Sequence, residues 1–286
     1  MICSLIVSLQ SQDCLGFSDL DTAIVLIHGF GESAEIMSSM YNLIQKDFPD
    51  RLVVNLEILL GAISSIFESP ERYGRAAASK IQQLTQGYKC IDIISHSQGS
   101  FVARQYIQFF ASSQDFYPNV RSFVSLAGVL NGMYCKSNCP TGLMNVLDPL
   151  INQKSKSQLL VPSGYWRTDF TPNILCKLNG GCGANSSILN AFQGLKTFGM
   201  LFSDHDDILV PKQTSHFGYI VNGVEFEAEA LAEYGVLELN TLQTQGVVQK
   251  YKFDGFKHND FVRDKVGITW ACVKGMVANV AKNCPI

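Results

Sequence analysis

The sequence predicts an α/β fold in which helices cover both faces of a mostly parallel central sheet. Apolar strand-like runs alternate with helix-like segments along most of the chain, which is the order that βαβ units produce. The run 23–27 is continuously apolar, as a strand buried on both faces should be. Another apolar run, 90–94, leads through a serine into a helix-like segment. No repeat or linker divides the chain, so these observations favour one domain.

Each further element is predicted from a local pattern. The strands are short runs rich in β-branched and aromatic residues, whereas the helices have apolar residues at helical spacing. A proline stands near the start of the second helix, where its missing N–H costs least. The predicted strands span 23–27, 52–56, 90–94, 120–126, 197–202 and 247–253. The predicted helices span 35–46, 70–84, 101–107 and 266–280, with an amphipathic piece around 143–151.

Length and composition limit the class of protein. The 286 residues are 47% hydrophobic and 16% charged, which excludes a disordered chain and indicates a well-packed body. The net charge of −3 gives no reason to expect nucleic acid as a partner. No apolar run approaches the roughly 20 residues that span a bilayer, so we expect no stable membrane span. We expect a single domain over 13–286, with an insertion at about 129–190, where the alternation of strands and helices breaks.

The first residues resemble the apolar core of a secretory signal peptide. Residues 1–12 are mostly apolar, but they lack a basic start and have only a poor small-residue cleavage site near Ser11. The alternative is a first buried strand. The triplet Asn185-Ser186-Ser187 is an acceptor for N-glycosylation, which agrees with secretion. We therefore expect the secretory pathway, with the lysosome and secretion from the cell both left open.

Nine cysteines support an oxidising compartment. Two close pairs, Cys135 with Cys139 and Cys176 with Cys182, lie in loop-like sequence and suit short disulfide loops. Zinc is the competing interpretation, but no histidine accompanies these pairs and neither has the C-x₂-C spacing. We therefore predict disulfides and no metal site.

The segment Ser95-His96-Ser97-Gln98-Gly99 carries the strongest chemical signal. A serine on a sharp turn between a strand and a helix forms the nucleophile elbow of an α/β-hydrolase, where its hydroxyl stands clear of the sheet. The turn is crowded, and the residues that flank Ser97 are small, as it requires. We predict the α/β-hydrolase fold, with Ser97 as the nucleophile.

A serine nucleophile needs a histidine base, which is oriented by an acid, and in this fold the chain order is serine, acid, histidine. His28 and His96 come too early, and His205 and His216 lie where the acid is expected. His258, just past the last predicted strand, is correctly placed. The competing interpretation of His258 is an exposed loop residue beside a lysine.

The acid should follow the strand 197–202, where the sequence has Asp204, Asp206 and Asp207. We favour Asp206, but spacing alone does not separate the three, and aspartates in such loops are commonly solvated turn residues.

Acyl transfer also needs N–H donors aimed at the developing oxyanion. One is the amide of Gln98, which follows the nucleophile. For the other, the loop 28–31 has the required glycines and favours the amide of Phe30, with Gly29 second. The competing interpretation is that these glycines only form a tight turn.

Five segments of the sequence resemble the palmitoyl-protein thioesterase family of α/β-hydrolases. They are His28 to Gly31, Ser97 to Gly99, Gly164 to Asp169, Asp206 to Tyr219 and Tyr234 to Glu238. The similarity runs from about Asp21 to the C-terminus, and the third and fourth segments are more specific than general hydrolase motifs. By position, the resemblance implies a triad of Ser97, Asp206 and His258 with Phe30 and Gln98 as oxyanion donors. Ser95 and Ser100 depart from glycines that the family usually has.

The resemblance implies hydrolysis of a long-chain fatty acyl thioester, on an S-acylated protein or peptide or on an acyl-CoA-like molecule, by a monomer that needs no cofactor. The inserted region would supply an apolar groove, with Leu143, Leu147 and Trp166 as candidate substrate contacts. These side chains would serve equally well to pack the insertion onto the sheet. Two other functions stay open, namely a lipase or carboxylesterase that cleaves oxygen esters, and a hydrolase fold that only binds a partner.

Overall fold

A six-stranded parallel sheet forms the centre of the molecule, in a computed structural model that describes residues 14–16, 18–111, 117–134, 139–151, 159–167, 173–221, 224–278 and 284. Residues 1–12, which contain the predicted signal peptide, lie outside this part. The sheet strands are β1 (Thr22–Ile27), β2 (Val53–Leu56), β3 (Cys90–His96), β4 (Asn119–Leu126), β5 (Thr197–Phe202) and β8 (Val248–Lys252). Their spatial order is β2-β1-β3-β4-β5-β8. A short antiparallel hairpin pairs β6 (Tyr219–Val221) with β7 (Val224–Phe226).

Helices connect the strands. The α-helices are α1 (Ser38–Asp47), α2 (Pro70–Leu84), α3 (Gln98–Gln105), α4 (Gly142–Ile151), α5 (Ile174–Leu178), α6 (Ser186–Leu189), α7 (Ala232–Val236), α8 (Leu239–Thr244) and α9 (Val266–Val277). Short 3₁₀ turns span Cys14–Gly16, Ala34–Met37, Val161–Gly164, Lys212–His216, Ala228–Ala230 and His258–Phe261, and a π-helical turn at Tyr106–Ala111 continues α3. Within the described ranges, no helix is long and apolar enough to cross a membrane.

The α/β architecture predicted from the sequence is confirmed, and several elements match it residue for residue. The helix predicted over 70–84 and the strand predicted over 197–202 have those bounds. Pro70 occupies the first turn of α2, and the Ser69 hydroxyl caps the helix by accepting the Arg72 N–H. The helix predicted from 101 begins earlier, at Gln98, because the elbow turn leads directly into it.

The two faces of the sheet bury separate apolar layers because side chains alternate along each strand. On β1, Val25 and Ile27 face α2 and α3, whereas Ile24 and Leu26 face α1 and α9. All four side chains are fully buried. This two-sided burial explains why the strand sequence is continuously apolar.

The described part of the chain between β4 and β5 adds no strand to the sheet. It forms α4 and α5 over a third apolar cluster, which also contains Phe101 of α3 and Ile66, and α6, whose Leu189 packs against the apolar layer beneath α2 and α3. A single parallel bridge joins Met133 to Trp166. This region therefore covers the end of the sheet at which Ser97 lies.

Disulfides join Cys14 to Cys90, Cys176 to Cys182 and Cys272 to Cys284. The predicted Cys176–Cys182 loop is confirmed. The other two bridges were not predicted, because their cysteines are further apart in the sequence. The separations are 76 residues for Cys14–Cys90 and 12 residues for Cys272–Cys284, where Cys272 lies inside α9. Cys135 of the other predicted pair lies outside the described residues.

A buried ion cluster lies near the start of the central strands β3 and β4. The Asp92 carboxylate accepts hydrogen bonds from Arg51 Nη2 at 2.7 Å and from Arg121 Nη2 at 2.6 Å. Both guanidinium groups also donate to the carbonyl of Val277 at the end of α9. Asp92 is the buried acid that faces both positive charges, and the partly exposed Asp19 also pairs with Arg121 at 2.9 Å.

We expect Asp92→Asn to lower the free energy of unfolding by about 3–5 kcal/mol, because the amide leaves the Arg51 and Arg121 guanidinium groups without their buried anion. Urea unfolding followed by circular dichroism measures the change. Asp50→Asn, on an exposed turn beside Arg51, is the matched control and should cost less than about 0.5 kcal/mol. A loss below about 1 kcal/mol for Asp92→Asn would show that the cluster is not a stabilising unit.

Candidate active site

The chain turns sharply at Ser97 between β3 and α3. Ser97 has φ 53° and ψ −124°, a backbone conformation that is strained for a residue with a side chain. A Cβ atom at Gly99 would lie 2.5 Å from the carbonyl oxygen of Ile27, so only glycine fits there. Ser97 donates its N–H to Leu126 and accepts the N–H of Val129, which anchors the turn to the end of β4. This is the geometry of a nucleophile elbow.

Three buried hydroxyls fill the space beneath the elbow. Ser100 Oγ lies 2.9 Å from both Ser95 Oγ and Ser125 Oγ, and Ser95 also donates to the carbonyl of Val124. The two serines that depart from the family's glycines therefore satisfy each other. The turn tolerates both side chains because each has a hydrogen-bond partner.

Asp206 and His258, which the sequence analysis selected as acid and base, are in direct contact. His258 Nδ1 lies 2.8 Å from Asp206 Oδ2, and both residues are buried. Because a carboxylate accepts, the proton belongs on Nδ1, which leaves Nε2 of the neutral ring as a proton acceptor. Within the described residues, no group forms a hydrogen bond with that Nε2.

The environment of Asp206 keeps it ionised. Burial acts to raise the pKa of its carboxyl, but the charge and hydrogen bond of His258, with the N–H groups of Leu209 and Ile208, outweigh burial and lower that pKa below its ordinary value. Asp204 and Asp207 are exposed. Asp207 accepts the main-chain N–H of His258 at 3.1 Å, whereas the Asp204 carboxylate pairs with Lys252. Of the three aspartates, only Asp206 engages the imidazole.

His258 is connected to the elbow through His96, the residue that precedes Ser97. The rings of His96 and His258 lie 4.8 Å apart between centroids, and His96 Nε2 donates to the carbonyl of His258 at 3.1 Å. The base candidate on the loop after β8 is thereby tied to the residue that precedes the nucleophile candidate.

The loop 28–31 lies against the elbow. A Cβ atom at Gly29 would lie 2.9 Å from Ser97 Cβ, so the loop backbone approaches the serine closely. Gly31 donates its N–H to Ser65 Oγ at 2.8 Å, which fixes the far side of the loop. The amides of Phe30 and Gln98, the predicted oxyanion donors, form no hydrogen bond with any described residue.

The side chain of Gln98 is fully engaged. Its Nε2 donates to the carbonyl of Ser65 at 2.9 Å, and its Oε1 accepts the hydroxyl of Tyr165 at 2.8 Å. Burial raises the pKa of Tyr165, so its hydroxyl stays a donor. The Tyr-Trp segment of the inserted region is thus bonded directly to the first residue of α3.

Comparison with known proteins agrees with this geometry. A family model described as palmitoyl protein thioesterase matches residues 23–258, which include the elbow, the acid loop and His258. The chain belongs to this family.

Among individual proteins similar to this family member, palmitoyl-protein thioesterase 3 of Dictyostelium discoideum is 24% identical and covers 73% of this chain and 74% of its own. The lysosomal thioesterase PPT2 homolog of Drosophila melanogaster is also 24% identical, over 78% of this chain and 81% of its own. Aspergillus fumigatus lipase B has a TM-score of 0.54 at 16% identity, and the match covers 88% of this chain but 51% of that lipase. This structural likeness shows the α/β-hydrolase fold.

In this thioesterase-family chain, a third apolar cluster lies beside the candidate site. Partly buried Phe30, Ile208 and Val210 pack against it, so it extends from the oxyanion loop to the segment after Asp206. Trp166 and Leu147 belong to its buried interior, and Trp166 Nε1 donates to Asp148. The remaining groove candidate, Leu143, is 42% exposed and is not part of the cluster.

The other three histidines form their hydrogen bonds with groups outside the Asp206–His258 pair. His28 is buried with its Nδ1 donating to the carbonyl of Gly29, and burial lowers its pKa. His205 is exposed and accepts the N–H of Gly255. His216 pairs with Glu227 at 2.9 Å and lines a polar cleft of about 480 Å³. Within the described ranges, no group of three or more metal-binding side chains is arranged around a common point.

Glu32 is the residue at this site that the sequence analysis missed. Its carboxylate accepts the N–H of Gly29 at 3.2 Å and lies 3.4 Å from His96 Nδ1. Its position just after the glycines of the oxyanion loop is the only sequence signal, and that position does not reveal its approach to His96.

Proposed function

We propose that this protein hydrolyses long-chain fatty acyl thioesters of S-acylated proteins or peptides through a covalent acyl-enzyme on Ser97. The observation that carries the proposal is the buried Asp206–His258 pair, tied through His96 to a strained serine elbow in a member of the thioesterase family. The coarser activity, that of an ester- or thioester-cleaving hydrolase, is the property of the family.

In the first half of the reaction, His258 Nε2 takes the Ser97 hydroxyl proton while Oγ attacks the thioester carbonyl carbon. Asp206 holds the resulting imidazolium, and the amides of Phe30 and Gln98 donate to the oxyanion. The intermediate collapses, the C–S bond breaks, and the thiol leaves with the proton from His258. Water, deprotonated by the same imidazole, then cleaves the Ser97 ester to release the fatty acid and restore the enzyme.

The apolar cluster beside the site supports a fatty acyl substrate. Phe30, Ile208 and Val210 are only partly buried and lie next to the groups that would hold the carbonyl. An acyl chain placed on them would bury its methylenes at about 0.8 kcal/mol each. Trp166 and Leu147 would then support this surface from below. The disulfides between described residues, together with a relative named as a lysosomal thioesterase, support a place in the secretory pathway.

The test compares one peptide that carries palmitate either on cysteine, as a thioester, or on serine, as an oxygen ester. We expect kcat/KM for the thioester to exceed that for the oxygen ester by at least about tenfold, since a thiolate is the better leaving group and tenfold corresponds to about 1.4 kcal/mol. Ser97→Ala provides the blank. The reverse preference would establish a lipase or carboxylesterase, and absence of turnover with both peptides would favour a binding protein.

A further inference from the structure

The proposed reaction leaves two titratable side chains beside the site without a role, the buried His96 and the partly buried Glu32. His96 has no exposed surface, and its ring is in contact with that of His258. Glu32 lies on the oxyanion loop with its carboxylate mostly enclosed. Neither side chain is placed to contact the acyl substrate, and the proposed reaction uses neither of them.

His96 connects an acid to the backbone of the base. Its Nε2 must be the donor to the carbonyl of His258, because a carbonyl oxygen only accepts. Its Nδ1 lies 3.4 Å from Glu32 Oε2, an ion-pair distance. Nδ1 forms no hydrogen bond with any described residue, so the ring is held by its Nε2 bond and lies within ion-pair distance of Glu32.

Glu32 connects the same ring to the oxyanion loop. The carboxylate oxygen that faces His96 also accepts the N–H of Gly29, at 3.2 Å. A Cβ atom at Gly29 would lie 2.7 Å from that oxygen and 2.9 Å from Ser97 Cβ, so the three groups are closely packed. One carboxylate therefore holds the loop, the residue before the nucleophile and, through His96, the loop of the base.

The charge of Glu32 also acts on His258. Burial acts to raise the pKa of the Glu32 carboxyl, but its interactions with His96 and His258 outweigh burial and lower that pKa. The attraction is mutual, so an ionised Glu32 favours the imidazolium that His258 becomes when it takes the serine proton. Among the described residues, the titratable groups next to His258 are Asp206, Asp207, His96 and Glu32.

We propose that Glu32 and His96 are a positioning pair for the base, which orients the His258 loop and adds a second, partly buried carboxylate to the field of the imidazole. This inference rests on the proposed function, because it requires His258 to accept the proton of Ser97. Asp206 holds the imidazole at Nδ1, whereas the pair holds the main chain of the same residue.

The first test is Glu32→Gln, which keeps the length of the side chain and an oxygen for the Gly29 N–H but removes the charge. We expect kcat to fall about tenfold with KM nearly unchanged, since the pair does not contact substrate. The acidic limb of the pH profile of kcat/KM should move to lower pH, because the negative charge of Glu32 no longer stabilises the His258 imidazolium. Glu35→Gln, an exposed acid three residues further on, is the matched control and should leave both quantities unchanged.

The second test concerns the ring. His96→Phe keeps an aromatic side chain without donors and should also lower kcat about tenfold, whereas His96→Gln, whose amide N–H reaches the position of Nε2, should restore part of that loss. The position of a pH limb does not depend on how much of the enzyme is folded. It therefore separates a positioning effect from a loss of active protein.

The outcomes distinguish this inference from the proposed function. An unchanged kcat and an unchanged acid limb in Glu32→Gln, with wild-type turnover that is lost in Ser97→Ala, would overturn the positioning pair and leave the thioesterase proposal intact. Wild-type protein that cleaves no ester, and whose Ser97 does not react with a fluorophosphonate, would overturn both.

Discussion

Ser97→Ala is expected to lower kcat for every acyl substrate by roughly 10⁵-fold or more, without loss of the fold. The size of the effect has a chemical reason. Alanine cannot form the acyl-enzyme, and neither His258 nor Asp206 provides another nucleophile at the elbow. What remains is the contribution of the oxyanion donors and of substrate binding to direct attack by water. The side chain is small and sits on a strained turn, so its removal should leave the unfolding temperature close to that of the wild type.

The measurement is single-turnover hydrolysis of a palmitoyl thioester, with mass spectrometry of the trapped acyl-enzyme. Ser100→Ala is the matched control, because that hydroxyl lies on the same turn and is bonded only to Ser95 and Ser125. We expect it to retain most activity and to acquire the acyl group normally. Turnover by Ser97→Ala within tenfold of the wild type, or an acyl group on any other residue, would show that the nucleophile has been assigned wrongly.

Local sequence patterns predicted the fold well because parallel strands in this architecture are buried on both faces. The run 23–27 and the elbow strand contain the information that places them, since no other strand of the sheet has as many β-branched side chains. The hairpin at β6 and β7 was missed. Its strands have three residues each, too few for a period to be read.

The candidate acid, Asp206, illustrates what a sequence leaves undetermined. Asp204, Asp206 and Asp207 share one loop, and each is followed or preceded by polar residues. Burial and direction separate them in the structure, because the turn that Ile208 and Leu209 form around Asp206 points its carboxylate at His258. These are contacts between residues 52 positions apart, which no local pattern encodes.

The groove candidates show a related limit. Leu143, Leu147 and Trp166 share an amphipathic, apolar sequence context, but two are in the buried cluster and one faces solvent. Helical spacing indicates which residues share a face and not which neighbour covers that face. Glu32 was not predicted for the same reason. Its partner His96 lies at the end of β3 and comes close to Glu32 only because β3 pairs with β1.

Asp206→Asn is expected to lower kcat by about 10⁴-fold with a small change in KM. The amide retains an oxygen that can accept the N–H groups of Ile208 and Leu209, so the loop should keep its shape. Its NH₂ group, however, would donate to Nδ1 of His258. That bond favours the tautomer with the proton on Nε2, and the ring then has no lone pair for the serine proton.

The pH dependence of stability provides an independent check on Asp206. The pKa of its carboxyl is lower in the folded protein than in the unfolded chain. Asp206 therefore stabilises the wild type at pH values above its unfolded-state pKa, and this stabilisation is lost as the pH falls through its folded-state pKa. Asp206→Asn should lack this dependence. Urea unfolding at a series of acidic pH values measures the free energy of unfolding of both proteins. The difference between the two free energies should become smaller as the pH falls.

Variants of the two neighbouring aspartates test whether Asp206 is the acid. Asp204→Asn removes an exposed carboxylate that pairs with Lys252, and it should leave kcat near the wild-type value. Asp207→Asn weakens the hydrogen bond to the main-chain N–H of His258 and should have an intermediate effect of about tenfold, since the amide oxygen still accepts. A larger loss in Asp204→Asn or Asp207→Asn than in Asp206→Asn would mean that another carboxylate orients the imidazole during the reaction. The predicted order of activities, Asp204→Asn above Asp207→Asn above Asp206→Asn, follows from what each carboxylate contacts: Lys252, the main-chain N–H of His258 and the imidazole, respectively.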